Sequence, residues 1–328
     1  MRALIRRLVE TNSPSGNEET IRALIQAEIE PLVDDLRIDP LGSLVGWKKS
    51  TKSDKRIILA AHMDEIGIMA TYIDEKGYVR FTGIGGIRTL TCVGSRVIFA
   101  NGTTGVIGME EKSVRGRSAP SMNQLFIDVG ATSNDDCPVG VGDAAAFVRP
   151  LVTQGTRLIS KAMDDRIGCA VLIETLRQLD QAPHDVYFVF SVQEETSLSG
   201  ARTSAYTIDP DMAIAVDVTD TGDTPECYPM AVNLGHGPAI KVQDGGMIAH
   251  PAVRELMIES AKKTSIPYQL EILTGGTTDA AAMQLVRAGV PAGCLSIPCR
   301  YVHTPSEMVD ENDVLNGIRL LLAVLKQG

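Results

Sequence analysis

Glu194 and Glu195 follow the apolar run FVFSV within FVFSVQEETSLSGA (188–201). Successive strand side chains point to opposite faces, so an acidic pair in mid-strand would put one carboxylate into an apolar layer. At a strand end the backbone turns, and both can reach one cleft. Other short clusters repeat the placement. His62 and Asp64 in AAHMDE, Asp217 in AIAVDV and His303 in PCRYVHT all follow apolar runs, and Asp164 with Asp165 in KAMDDR opens an apparent helix. Each has an ordinary explanation when taken alone. An adjacent Glu pair is commonly exposed, acids at a helix start suit its dipole, and a His–Asp pair is common on surfaces. Asp217 is the odd one, because Asp is disfavoured in strands. One shared site accounts for all five placements together. Two imidazoles with several carboxylates and no thiolate cluster form the ligand set of zinc, cobalt or manganese. His184, His236 and His250 have no comparable acidic company.

Such a site needs elements that bring distant segments together. Residues 1–33 read as helical, with apolar residues at helical spacing in SGNEETIRALIQAEIEPLV and Ser15 or Asn17 as its cap. RIILAAHMD (56–64) is a buried strand running into polar residues. From about 66 to 155 the texture changes. Alternating segments such as YVRFTGI, SRVIFA, TTGVIG, QLFIDVG and DAAAFV are separated by Gly, Asn-Gly and Ser/Pro clusters, which predicts a small β-barrel or sandwich. Helices and strands alternate afterwards: helix 164–180, strand 185–192, strand 212–218, helix 250–265, strand 268–273, helix 278–289, strand 290–298 and helix 311–327. That order predicts an α/β fold, a mostly parallel sheet flanked by helices, with the small β-barrel inserted. The expected domains are residues 1–65 plus 156–328, and 66–155. Ligands on such sheets bind beyond the carboxyl ends of the strands.

Composition narrows the class. A chain of 328 residues is long for one core, which suits two domains. The net charge of −10 speaks against a nucleic-acid partner and mildly concentrates cations. The longest apolar runs, IILAA and VYFVFSV, are strand-length and too short to span a membrane. The N-terminal stretch carries charges through its apolar positions and reads as an amphipathic helix, not a signal peptide. Six scattered cysteines without a CxxC pair fit reduced thiols and a cytoplasmic setting.

AHMDEIG, KAMDDRIGCAVL, SVQEETSLSGA, AVDVT and PCRYVHTPSEMV occur in that order. Together they resemble the tetrahedral (TET) aminopeptidases, the glutamyl/leucyl-type enzymes of metallopeptidase family forty-two in the dinuclear zinc exopeptidase clan. The resemblance covers essentially the whole chain. It implies that His62 and Asp217 bind one metal ion, that Glu195 and His303 bind the other, and that Asp164 bridges them. It implies Glu194 as general base and Asp64 as the group that orients His62. The family's Gly-Gly-Thr-Asp stretch near the substrate reads here Gly275-Gly276-Thr277-Thr278-Asp279, with one extra Thr. The β insertion corresponds to a dimerisation domain, and peptide substrates and a homo-dodecamer built from dimers are implied as well.

The chemistry needs such residues. Peptide hydrolysis requires a strong nucleophile at neutral pH and stabilisation of an oxyanion, and two divalent ions about 3.5–4 Å apart supply both. Asp165 more naturally stabilises its helix start or pairs with Arg166. An N-acyl deacylase or carboxypeptidase on the same centre would need a cation for the substrate carboxylate, and Arg300 or Arg88 is available for that. A glycosidase would use two carboxyls and no metal, leaving His62, Asp217 and His303 without a purpose. A non-catalytic assembly protein would not need the complete ligand set.

Overall fold

The computed structural model describes residues 1–50, 52–110 and 119–327. Its centre is four parallel strands in the order β12 (Asp185–Ser191), β3 (Arg56–His62), β13 (Met212–Thr219) and β16 (Ala292–Arg300). These are the apolar runs of the sequence, and their periodicity decides the layering. Ile57, Leu59 and Ala61 of β3 enter one hydrophobic cluster, while Ile58 and Ala60 enter the cluster on the opposite face. That is the two-residue alternation of a strand covered on both sides. The first face packs helices α1 (Arg2–Glu10), α2 (Glu19–Ile29), α4 (Met163–Gln178), α7 (Pro251–Lys263) and α9 (Glu311–Gln327); the second packs α6 (Ser199–Ile208) and α8 (Asp279–Met283). Phe188 and Phe190 of β12 are fully buried, and each such ring contributes about 1.5–3 kcal/mol by leaving water.

Along the main sheet, parallel pairing holds at the centre only. Beyond β12 lie β2 (Leu44–Lys48) and β1 (Asp35–Ile38), and beyond β16 lie β17 (Glu307–Asp310), β11 (Arg157–Ser160) and β10 (Val152–Gln154), all antiparallel. A branch, β14 (Ala239–Gln243) with β15 (Gln269–Ile272), leaves β16. The hairpins β1–β2 and β10–β11 escape the sequence reading because β1 and β10 are short and largely exposed; they carry no apolar run.

Between β3 and β10 the chain builds a closed six-stranded barrel. Its strands are β4 (Gly67–Ile73), β5 (Val79–Ile84), β6 (Arg96–Phe99), β7 (Thr104–Met109), β8 (Leu125–Asp128) and β9 (Ala144–Phe147). Pairing of Ile68 with Ala145 joins β4 to β9 and closes the ring, so the barrel has no free edge to protect. Ile68, Phe81, Val97, Ile107, Ile127 and Phe147 fill it. One short helix, α3 (Thr89–Cys92), follows β5. Only four residues separate β3 from β4, so the barrel starts beside His62.

Two local expectations need correction. The helical region 1–33 is broken between Glu10 and Glu19, and neither Ser15 nor Asn17 caps α2: its cap position is Glu18, without a side-chain cap bond. The hydroxyl of Ser15 is engaged by Asp64 instead. The helix expected over 278–289 stops at Met283, where a turn ends with Arg287 and Gly289 at φ 54° and 102°.

Candidate metal centre

Strand register delivers the site. Ser191, the last residue of β12, pairs with His62, the last of β3. Ala215 of β13 pairs with Ala60, so Asp217 comes level with His62 two residues later. β13 runs on to Thr219, which puts Asp217 inside the strand and not at its end. After β12 the backbone turns through Gln193 at φ 56° into the short helix α5 (Glu194–Ser197). Asp164 arrives at the start of α4 with non-helical φ/ψ of −76° and 109°, and the peptide bond to Asp165 is cis. His303 sits in the loop between β16 and β17.

These six side chains converge. His62 Nε2 lies 3.0 Å from Asp164 Oδ1, 3.8 Å from Glu194 Oε2 and 3.9 Å from Asp217 Oδ1. His303 Nε2 lies 3.3 Å from Asp164 Oδ2 and 3.2 Å from Glu195 Oε2. Asp164 therefore turns one oxygen to each imidazole. Asp64 Oδ1 is 3.4 Å from His62 Nδ1, a contact short of an aligned hydrogen bond, since that nitrogen has no hydrogen-bond partner. The better-aligned partners of Asp64 are the N–H groups of Glu194 (3.1 Å) and Glu195 (3.2 Å).

The electrostatics are lopsided. Burial and the neighbouring acids push the Glu194 and Asp217 carboxyls well above their usual range, against the pull of His62, and burial with Asp164 nearby also raises Glu195. Burial opposes a charged His303, yet its hydrogen bonds to Asp164 and Glu195 win and its pKa is pushed up to about 12. Burial likewise opposes charge on Asp164, but the two imidazoles hold it below the usual carboxylate range. Among the described residues no lysine or arginine is hydrogen-bonded or ion-paired to any of these six. Glu195 Oε1 is buried without a hydrogen-bond partner. A buried excess of acid with an unpartnered oxygen is what divalent cations would relieve. The donor set of imidazole nitrogens and carboxylate oxygens fits them. Ligand atoms of His62, Asp164 and Glu195 lie within 4.8 Å of one another, as do those of His62, Asp165 and Asp217.

Comparison with known proteins gives the family. The model of the M42 glutamyl aminopeptidase family matches residues 42–320. A lysyl aminopeptidase from Pyrococcus furiosus is 35% identical, over 99% of this chain and 96% of its own. The solved structure of an aminopeptidase from the archaeon Desulfurococcus kamchatkensis superposes with a TM-score of 0.96 at 42% identity, covering 99% of this chain and 94% of that one. The TET1 peptidase of Pyrococcus horikoshii, which can assemble into a tetrahedron or a large octahedral shell, gives 0.89 at 31% identity over 98% of both chains. The chain belongs to the M42 glutamyl aminopeptidase family.

For an aminopeptidase the surroundings of the site matter as much as its centre. A cavity of about 890 Å³ opens onto Asp164, Glu194, Glu195, Asp217 and His303. Its walls include Arg88 of the barrel, Tyr301 and the loop residues Gly275 to Thr278. Asp279, the acid after the extra Thr, is instead buried and engaged by the Ser191 hydroxyl. Arg300 is committed to Asp223 through two bonds of 2.8 and 2.9 Å. The barrel loop GIGGIR (83–88) presses on the site. A Cβ at Gly86 would fall 2.5 Å from His303 Nδ1, and one at Gly85 2.9 Å from Glu195 Oε2. The break between α1 and α2 has its use here, because Glu18 Oε1 accepts from the Gln193 N–H at 3.2 Å and steadies the turn before Glu194.

Of three further residues near this aminopeptidase centre, Asp165 keeps the helix-start role expected of it, Arg166 does not pair with it, and Glu307 alone went unassigned. Asp165 Oδ1 accepts from the Gly168 N–H at 2.9 Å, which secures the helix start, while Oδ2 has no partner. Its neighbour Arg166 pairs with Glu65, at 3.4 Å, and not with Asp165. Glu307 accepts from the N–H groups of Asp164 and His303. Its position four residues after His303, in PCRYVHTPSEMV, was the available signal.

Proposed function

We propose that this chain removes N-terminal residues from peptides at a centre of two divalent ions, zinc ahead of cobalt or manganese. His62 and Asp217 would hold one ion, Glu195 and His303 the other, and Asp164 would bridge them. The observation that carries this reading is Asp164 itself, one oxygen 3.0 Å from His62 and the other 3.3 Å from His303. When bound, the ions would supply Lewis acidity, lowering the pKa of a water molecule and drawing charge from the scissile carbonyl.

The chain's own residues do the rest. The Glu194 carboxylate faces the cavity, takes a proton from the attacking water and returns it to the leaving amine. Adjacent Glu195 serves as a ligand, and the turn at Gln193 lets the two neighbours take separate tasks. Asp64 fixes both by accepting their backbone N–H groups, and it backs the His62 ring from behind. A deacylase or carboxypeptidase on the same residues would have to use Arg88, which lines the cavity, because Asp223 already engages Arg300.

The test compares leucine anilide with N-acetyl-leucine substrates, using protein stripped by chelator and reloaded with zinc, cobalt or manganese. Cleavage of the free-amine substrate that returns with metal supports the proposal. Cleavage of only the blocked substrate, or activity indifferent to chelation, contradicts it.

We further read residues 66–155 as a domain inserted into an α/β domain of residues 1–65 and 156–328, with the barrel mediating dimers that build a dodecamer. The TET1 peptidase assemblies support this, and light scattering would test it. The cytoplasm is the proposed setting: all six cysteines are unpaired, and no described helix is long and apolar enough to cross a membrane.

A further inference from the structure

A bridged site requires Asp164 and His303 to be held at a fixed spacing, although they come from segments far apart in the chain. Glu307, the first residue of β17, is 1% exposed. Its Oε2 accepts from the Asp164 N–H at 3.0 Å and its Oε1 from the His303 N–H at 2.9 Å. One planar carboxylate thus ties together the two backbones whose side chains meet at 3.3 Å.

Both clamped residues have backbones that need such a tie. His303 lies at φ 62°, a left-handed conformation disfavoured for any residue with a Cβ. Such conformations persist when their surroundings over-determine them. Asp164 is non-helical at the start of α4, so its N–H is not held by a helical ladder. The His303 ring is confined from the other side, where Gly86 leaves no room for a Cβ. The backbone hold comes from Glu307.

We propose that Glu307 is a positioning residue for the ion site formed by Glu195 and His303. It sets the bridging carboxylate of Asp164 and the His303 imidazole at the spacing an ion needs, without touching substrate or ion. The inference rests on the two-ion reading above. It goes beyond that reading by making the two subsites unequal: removal of Glu307 loosens the shared Asp164 but weakens the His303 subsite most, because His62 and Asp217 are held by their own strands.

The experiment is zinc titration of chelator-stripped, full-length protein by isothermal calorimetry, with metal-free thermal unfolding measured alongside. Wild type is expected to bind two ions per chain. Glu307→Ala is expected to bind one ion within a few-fold of wild-type affinity and the second at least tenfold more weakly. Glu307→Gln, which keeps the shape and one carbonyl oxygen, should fall between them, and it carries the test should the alanine variant fail to fold. In kinetics at limiting zinc, kcat should fall in the variants, with KM little changed and activity partly restored by excess zinc. Two ions at wild-type affinity in a folded variant, with only the metal-free melting temperature lowered, would reduce Glu307 to a structural role and overturn the proposal. Fewer than two ions in wild type would overturn the two-ion reading instead.

Discussion

Asp64 and Glu65 are neighbours in the chain and serve two opposite kinds of buried charge cluster. Glu65 is matched: Lys161 Nζ stands 2.5 and 2.8 Å from its oxygens, and Arg166 stands 3.4 Å away. Arg166, fully buried, also donates to the carbonyls of Leu8 at 2.6 Å, Thr11 at 3.0 Å and Ser13 at 3.3 Å. That cluster ties α1 and the following break to β3 and α4, and each of its charges has an opposite charge beside it, with backbone carbonyls taking up the rest of Arg166. Asp64 looks toward Glu194, Glu195, Asp164 and Asp217, whose close basic neighbours are two imidazoles. A buried pair that balances itself is a structural tie. A buried surplus of acid in a cavity wall marks a working site.

The sharpest way to break that contrast is at Glu194. Glu194→Gln is expected to lower kcat by about 10²–10⁴-fold, the usual contribution of a general base, with zinc content unchanged by plasma emission analysis. Near wild-type turnover would move the proton transfer elsewhere. Lys161→Met attacks the paired cluster. It should destabilise the fold by about 1.5–3 kcal/mol, the worth of hydrogen bonds to a charged group, because Arg166 stays beside Glu65. Urea unfolding should give that loss equally with and without zinc.

Zinc itself should separate the clusters. At a free concentration 100-fold above Kd it should stabilise the folded wild type by about 2.7 kcal/mol per site, read as a rise in thermal midpoint. Asp217→Asn should diminish the rise, and Lys161→Met should keep it. The smallest effect is expected from the barrel loop. Gly86→Ala places a methyl 2.5 Å from His303 Nδ1 and should cost about 1–3 kcal/mol by overpacking. The loss should appear as weaker binding of one zinc ion in calorimetry.

The centre of the molecule was legible because its residues obey local rules. β3, β12, β13 and β16 are apolar runs with polar residues at or near their ends, and the barrel strands alternate between glycine turns. The six converging residues could be found because strand ends gather at one edge of a parallel sheet. What escaped depends on partners distant in sequence. The helix break at 11–18 is set by Asp64, Glu65 and Gln193, which engage Ser15, Ser13 and Glu18. The flanking strands β1 and β10 have no buried face to show a period. Glu307 works through backbone N–H groups, which carry no residue signature, and Asp165 turns from helix start to near-ligand only once β13 brings Asp217 beside it.

Anomalous diffraction from zinc-loaded crystals tests the bridged pair most directly. Two peaks are expected on either side of Asp164, one within about 2.0–2.2 Å of His62 and Asp217 ligand atoms and the other equally close to Glu195 and His303. A single peak, or two peaks of which only one touches Asp164, would contradict it.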